Sequence, residues 1–260
     1  MKLVDAHIHL SDEEYSTCID EVVQDAKGAN VVAMVSNSMD LETSIKSLEL
    51  TEKFPGTVYA ALGIHPWVVK RLSEDELQQT IELMKKQSQN KSFVAIGEIG
   101  LDSKYMDIWE KQLKIFDLML RAAEQLDLPA IIHSRGTTAQ IIDMLPSYNL
   151  KKVLLHWFSQ PISLLPTAVD RGYYISEGVP TVYSDGIRDV VKNVPITHLL
   201  TETDGPVQFF KPPFRGKRTT SAFIPIIVKA ISEVQKLAPD DVAEHVGKNF
   251  QDLFEVDLGL

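Results

Sequence analysis

Val4-Asp5-Ala6-His7-Ile8-His9 lies close to the start of the chain, and its period-two pattern decides how the rest is read. Side chains alternate faces along a strand, so Asp5, His7 and His9 point one way while Val4, Ala6 and Ile8 point the other. The apolar set suits a face covered by helices. Two imidazoles at i and i+2 on one face reach a single metal ion, yet a strand whose histidines only satisfy hydrogen bonds fits the same residues. The choice turns on whether further acids and histidines fall at matching places along the chain.

Working outward, short apolar runs predict further strands at 31–35, 58–62, 93–96, 130–132, 153–155, 173–175 and 199–201. Helical spacing predicts helices at 13–28, 41–53, 108–126, 139–145, 162–171, 184–192, 222–237 and 239–254. One more runs from the capping box Ser73-Glu74-Asp75-Glu76 to about Gln89. Strands alternating with crossover helices mean a parallel sheet, and eight of them predict a closed (β/α)8 TIM-type barrel rather than an open doubly wound sheet. No linker or internal repeat divides residues 1–260, so a single barrel domain is expected.

The bulk numbers agree with that size. The 260 residues are 44% hydrophobic and 24% charged, ordinary for a globular chain, and a barrel of this kind needs about 250 residues. Cys18 is the lone cysteine and falls in a helical pattern, which points to a structural thiol in the reducing cytoplasm. No apolar run reaches the roughly 18 residues of a spanning helix, so no membrane contact is expected. A formal net charge of −10 argues against a broad basic surface for long duplexes, though a local patch can still grip a few phosphates.

Barrel enzymes assemble their sites where the strands end. His7 and His9, Glu98, His133, His156 and Asp204 all fall at such ends. Singly, each has a bland reading: His133 or His156 as a core histidine, Asp204 as a cap before Gly205-Pro206. A buried Glu98 without cation or donors would be costly. Six ligand-type side chains exceed the needs of one open tetrahedral ion. They suit two divalent cations sharing a carboxylate, roughly 3.5–4 Å apart.

Here the chain resembles a known family. Asp5-Ala6-His7-Ile8-His9, Gly97-Glu98-Ile99-Gly100-Leu101-Asp102, Ile132-His133-Ser134-Arg135, His156-Trp157-Phe158-Ser159 and Glu202-Thr203-Asp204 look like the TatD deoxyribonuclease family of the amidohydrolase superfamily. Gly63-Ile64-His65-Pro66, Gln112 with Phe116, Arg215-Gly216-Lys217-Arg218 and Asn249 with Leu253-Phe254 fit the same pattern. The resemblance implies a metal-dependent phosphodiesterase, typically a DNase of 3′→5′ exonuclease character. It also implies that His7, His9, Glu98 and Asp204 hold one ion, while Glu98, His133 and His156 hold the second. Four departures stand out: Trp67 where the family often has a second histidine, Gln160 for a common glycine, Thr219-Thr220-Ser221 for an Asn-Glu-Pro run, and Ser103-Lys104 for a tyrosine-rich segment. All are expected at the mouth.

These residues take expected roles. Asp204 accepts a proton from the attacking water, and Glu98 bridges the ions. Asp5 and Glu202 stand behind the ligands and orient them. His65 and Arg135 sit at strand ends facing substrate phosphate, Arg135 with a forked donor, although an ion pair with a neighbouring acid is an equally ordinary role for it. Between Phe209 and Arg218 lie Lys211, Arg215, Lys217 and Arg218, three phenylalanines and no acid. Such a segment can stack bases and track phosphates of single-stranded DNA or frayed ends. It fits equally a solvated loop with its phenylalanines packed beneath. Mg, Mn or Zn suits the ligand set. A metallo-amidohydrolase or phosphoesterase for small molecules, often with a carboxylated lysine where Glu98 stands, is the first rival. A non-catalytic scaffold is the second, and it would have lost ligands.

Overall fold

The computed structural model describes residues 1–159 and 161–259; Gln160, one of the four departures, lies outside them. Eight strands follow one another around a single sheet in sequence order: β1 (Leu3–Ile8), β2 (Val31–Asn37), β3 (Val58–Leu62), β4 (Phe93–Asp102), β5 (Ala130–Arg135), β6 (Val153–Leu155), β7 (Tyr174–Glu177) and β8 (Leu199–Thr201). Every neighbouring pair from β1 to β8 is parallel. The last strand returns to the first. Thr201 Oγ1 donates to Val4 O at 2.6 Å. Asp204 N donates to His7 O at 2.9 Å, and His9 N to Gly205 O at 2.8 Å. The (β/α)8 barrel therefore closes along a seam that runs directly through the residues of interest.

Helices α1 (Ile19–Gly28), α2 (Leu41–Lys53), α3 (Glu74–Lys86), α4 (Trp109–Leu126), α5 (Thr138–Met144), α6 (Leu165–Asp170), α7 (Asp185–Asn193), α8 (Ile224–Gln235) and α9 (Pro239–Phe254) wrap the outside. Two start on full capping boxes, Asp40 with Thr43 and Ser73 with Glu76, which satisfy otherwise orphaned amides for about 1 kcal/mol each. Pro239 occupies the first turn of α9, where its missing N–H costs nothing. Among the described residues, no helix is long and apolar enough to cross a membrane.

Two elements differ from expectation. The first helical stretch is split: a 3-10 turn at Glu13–Tyr15 precedes α1, and Cys18 lies before the helix rather than in it. The break lets buried Tyr15 donate its hydroxyl to Thr219 O across the seam at 2.5 Å. Strand β4 runs six residues past the expected end at Ile96, continuing to Asp102. Gly97, just past that expected end, marks a close approach. A Cβ there would lie 2.7 Å from Ile131 Cβ, and one on Gly100, whose φ is +152°, would lie 2.0 Å from His133 O. Gly100→Ala is therefore expected to cost at least about 2 kcal/mol from backbone strain and overpacking. A melting temperature lowered by several degrees in a thermal scan checks it.

Candidate metal centre and active site

The strand ends deliver five imidazoles and two carboxylates to one place. Glu98, 1% exposed, sits at the middle with its two oxygens facing different partners. Oε2 lies 3.2 Å from His7 Nε2 and 3.3 Å from His9 Nε2. Oε1 lies 2.9 Å from His133 Nδ1, 2.9 Å from His156 Nε2 and 3.1 Å from His65 Nε2. Asp204 Oδ1 completes the first group, 3.4 Å from both His7 Nε2 and His9 Nε2. No lysine or arginine pairs with either carboxylate among the described residues.

These spacings test whether a cation fits. His7 Nε2 and His9 Nε2 are 3.3 Å apart, and each lies 3.2–3.4 Å from Glu98 Oε2 and from Asp204 Oδ1. Neighbouring donors about 3.3 Å apart at tetrahedral angles would stand about 2.0 Å from a shared ion, the length of Zn–N and Zn–O bonds. The residues fit. Clusters able to hold an ion comprise His7, His9 and Asp204; His7, Glu98 and His156; and His65, Glu98 and His133.

Hydrogen bonds on the outer ring nitrogens sort the histidines by tautomer, since a committed N–H outside leaves a lone pair inside. His9 Nδ1 faces Asn37 O at 3.0 Å, so it donates there and Nε2 points inward as a ligand atom. His133 Nε2 faces Asp102 Oδ2 at 3.3 Å, which leaves Nδ1 for the centre. Behind His156 Nδ1 stands Glu202 Oε2, 3.6 Å away and itself accepting from Ser176 Oγ. His65 is the exception. The backbone N–H of Trp67 donates to its Nδ1 at 3.1 Å, so the ring proton resides on Nε2 and faces Glu98 and the cavity as a donor. That geometry supports a hydrogen bond to a substrate oxygen. Burial lowers His65 to about 4, so it stays neutral near pH 7.

Elsewhere the carboxylates win. Burial alone would raise Glu98, but the imidazoles of His65, His156 and His7 and the His133 hydrogen bond hold it well below the usual carboxylate range. Burial opposes charge on His9 too, yet hydrogen bonds to Asp204 and Glu98 push it up to about 10. A cation entering this group must expel the proton that His9 carries. Loading with Zn or Mn is expected to release protons and to tighten as pH rises through neutrality. Titration calorimetry in buffers of different ionisation enthalpy reads both.

Asp5 does not touch a ligand imidazole. Its carboxylate accepts from Thr203 N (3.0 Å), Thr203 Oγ1 (2.6 Å), Ser221 Oγ (2.7 Å) and, at 3.3 Å, His7 N. It ties together the two backbone segments from which His7 and Asp204 project, and burial pushes its carboxyl up to about 7. Ser221 and Thr219 are buried beside that seam, not at the mouth as the sequence led us to expect, because Asp5 and Tyr15 need partners there. Glu177 is the carboxylate that sequence reasoning passed over. It is fully buried, neither oxygen has a hydrogen-bond partner among the described residues, and burial raises it well above its ordinary value.

A cavity of about 760 Å³ opens over Glu98, lined by His9, His65, His133, His156 and Asp204 and walled by Met39, Trp67 and Trp157. Among the described residues Arg135 is the only lysine or arginine that lines it, beside Asp12 and Glu14 at the wall. Lys211, Arg215, Lys217 and Arg218 are exposed on the neighbouring loop and do not line the cavity. Arg218 Nη1 faces Cys18 Sγ, and Lys211 lies 5.0 Å over the Tyr183 ring. Two of the loop's phenylalanines, Phe209 and Phe214, are packed beneath it, leaving Phe210 in solvent. Packing won over base stacking at those two positions, and Phe209 supports the Trp157 ring at 6.0 Å.

A parallel barrel whose mouth gathers histidines and carboxylates around cation-sized gaps has the make-up of a metal-dependent hydrolase. The model of the TatD related DNase family matches residues 4–255. The chain belongs to that family. It is 31% identical to the uncharacterized metal-dependent hydrolase YabD of Bacillus subtilis, covering 98% of this chain and 99% of that protein. It is 30% identical to human deoxyribonuclease TATDN3, over 97% of this chain and 94% of that one. The crystal structure of YjjV, a TatD homolog from Escherichia coli, superposes with a TM-score of 0.91 at 28% identity and covers 98% of both chains.

Proposed function

We propose that this chain is a phosphodiesterase that hydrolyses DNA from a single-stranded or frayed end with 3′→5′ polarity. The carrying observation is Glu98, whose two oxygens face two separate donor groups. His7, His9 and Asp204 with one oxygen would hold one divalent cation; His133 and His156 with the other would hold a second. Bound there, Mg, Mn or Zn supplies Lewis acidity for a phosphoryl oxygen and lowers the pKa of water towards neutrality. Family membership and the name of the human relative support DNA as the substrate.

The protein's own groups do the rest. Asp204, at the cavity wall and 8% exposed, accepts the proton of the water that attacks phosphorus in line. The P–O3′ bond on the far side breaks, and the 3′ hydroxyl leaves with a proton from solvent. His65 Nε2–H donates to a non-bridging oxygen. Arg135, which has no acidic partner among the described residues, offers its fork to the next phosphate. Asp102 and Asn37 fix the rings of His133 and His9, and Glu202 stands 3.6 Å behind His156 Nδ1.

A time course on end-labelled single- and double-stranded oligonucleotides, with metals varied and small amides and phosphoesters in parallel, tests this reading. Stepwise loss of nucleotides from the 3′ end, dependent on metal, is expected. Turnover confined to amides or small phosphoesters would replace it with the small-molecule hydrolase. Failure to retain any divalent ion after loading would leave the scaffold reading.

A further inference from the structure

Trp67 is a large apolar side chain that remains 44% exposed on the cavity wall, an arrangement that calls for a partner. It is not loose. Its Nε1–H donates to Asp102 Oδ2 at 2.7 Å, and its ring stands edge-on to His65 with centroids 4.9 Å apart. Its backbone N–H fixes the His65 tautomer, and its centroid lies 6.2 Å from that of His133. The indole donor is already used, so what the ring offers the cavity is a rigid π face beside the reacting centre. Asp102 Oδ2 also takes the His133 Nε2 proton at 3.3 Å, and His133 Nδ1 faces Glu98 at 2.9 Å. One carboxylate oxygen therefore links the rim indole to a ring of the metal centre.

We propose that Trp67 is a nucleobase platform: its face stacks the unpaired base next to the scissile phosphate, while its N–H, through Asp102, positions His133. This rests on the phosphodiesterase reading above. Base stacking tolerates any sequence because every base has a π face. The pre-set ring loses little freedom when a base lands on it. With Arg135 as the only lysine or arginine lining the cavity among the described residues, and Asp12 and Glu14 lining it too, phosphate contacts alone orient a strand poorly. A paired base stays inside the duplex stack and cannot reach the ring, so the platform selects unpaired ends.

The test uses the full chain with Trp109→Phe and Trp157→Phe, leaving Trp67 as the sole tryptophan, in EDTA so that no turnover occurs. Titration with an eight-residue single-stranded oligothymidylate is expected to quench its fluorescence, and an abasic oligomer of the same length is expected not to. With metal, Trp67→Ala should raise KM for the oligothymidylate roughly tenfold to a hundredfold and leave KM for the abasic oligomer unmoved. Trp67→Phe keeps a stacking face but loses the donor, so it should lower kcat with KM little changed. Equal quenching by both oligomers, or an unchanged KM in a folded Trp67→Ala, would overturn the platform. If Trp67→Ala does not fold, the quenching contrast still decides. Base-dependent quenching without any cleavage would uphold the platform and sink the hydrolase reading instead.

Discussion

Asp204→Asn should fold and load metal like the parent while losing on the order of 10²–10⁴ in kcat. The backbone is indifferent to the exchange. Asp204 sits at φ +52°, a conformation asparagine tolerates as well as aspartate, and its amide bond to His7 O survives. An amide oxygen still faces His7 and His9. What it cannot do is take a proton from water. The decisive measurements are melting temperature and metal content beside kcat on an oligonucleotide. A loss of less than about tenfold in a metal-loaded variant would remove Asp204 from the proton-accepting role.

Glu98→Gln should do something different and larger. The swap is nearly isosteric, but an amide presents one oxygen and one NH2. Whichever way it turns, a donor replaces an acceptor against one of the two histidine groups. Loss of the shared negative charge weakens both. Metal content by mass spectrometry should fall for both groups together, and activity by at least about 10³-fold. His156→Ala is the informative contrast, because it touches only the Oε1 group and should spare metal held by His7, His9 and Asp204. If Glu98→Gln lost one ion and kept the other at full affinity, the carboxylate would not be shared.

Local pattern made the barrel legible. Period-two strands, capping residues such as Ser73 and the proline opening α9 act within a few residues of themselves. Their spacing alone orders eight parallel strands, whose ends then select His7, His9, Glu98, His133, His156 and Asp204. What stayed hidden depends on partners far along the chain. Gly97 and Gly100 look like strand breakers until β5 is seen pressed against them. Asp5 looks poised behind a histidine, yet its donors come from Thr203 and Ser221, about two hundred residues away. Which ring nitrogen of His65, His9 and His133 faces the centre, and whether it carries the proton, is set by Trp67, Asn37 and Asp102, contacts with no signature in sequence. Burial of Phe209 and Phe214 likewise belongs to packing that charge counting along the loop does not register.

The seam between the first and last strands carries a consequence for how the molecule comes into being. His7 and His9 are synthesised long before Asp204, whose amide closes onto His7 O. Contacts of such long sequence separation form late, after their loop-closure entropy has been met. The nascent chain therefore carries histidines but no assembled centre. Assembly of the candidate metal centre and final closure of the barrel are one event in time.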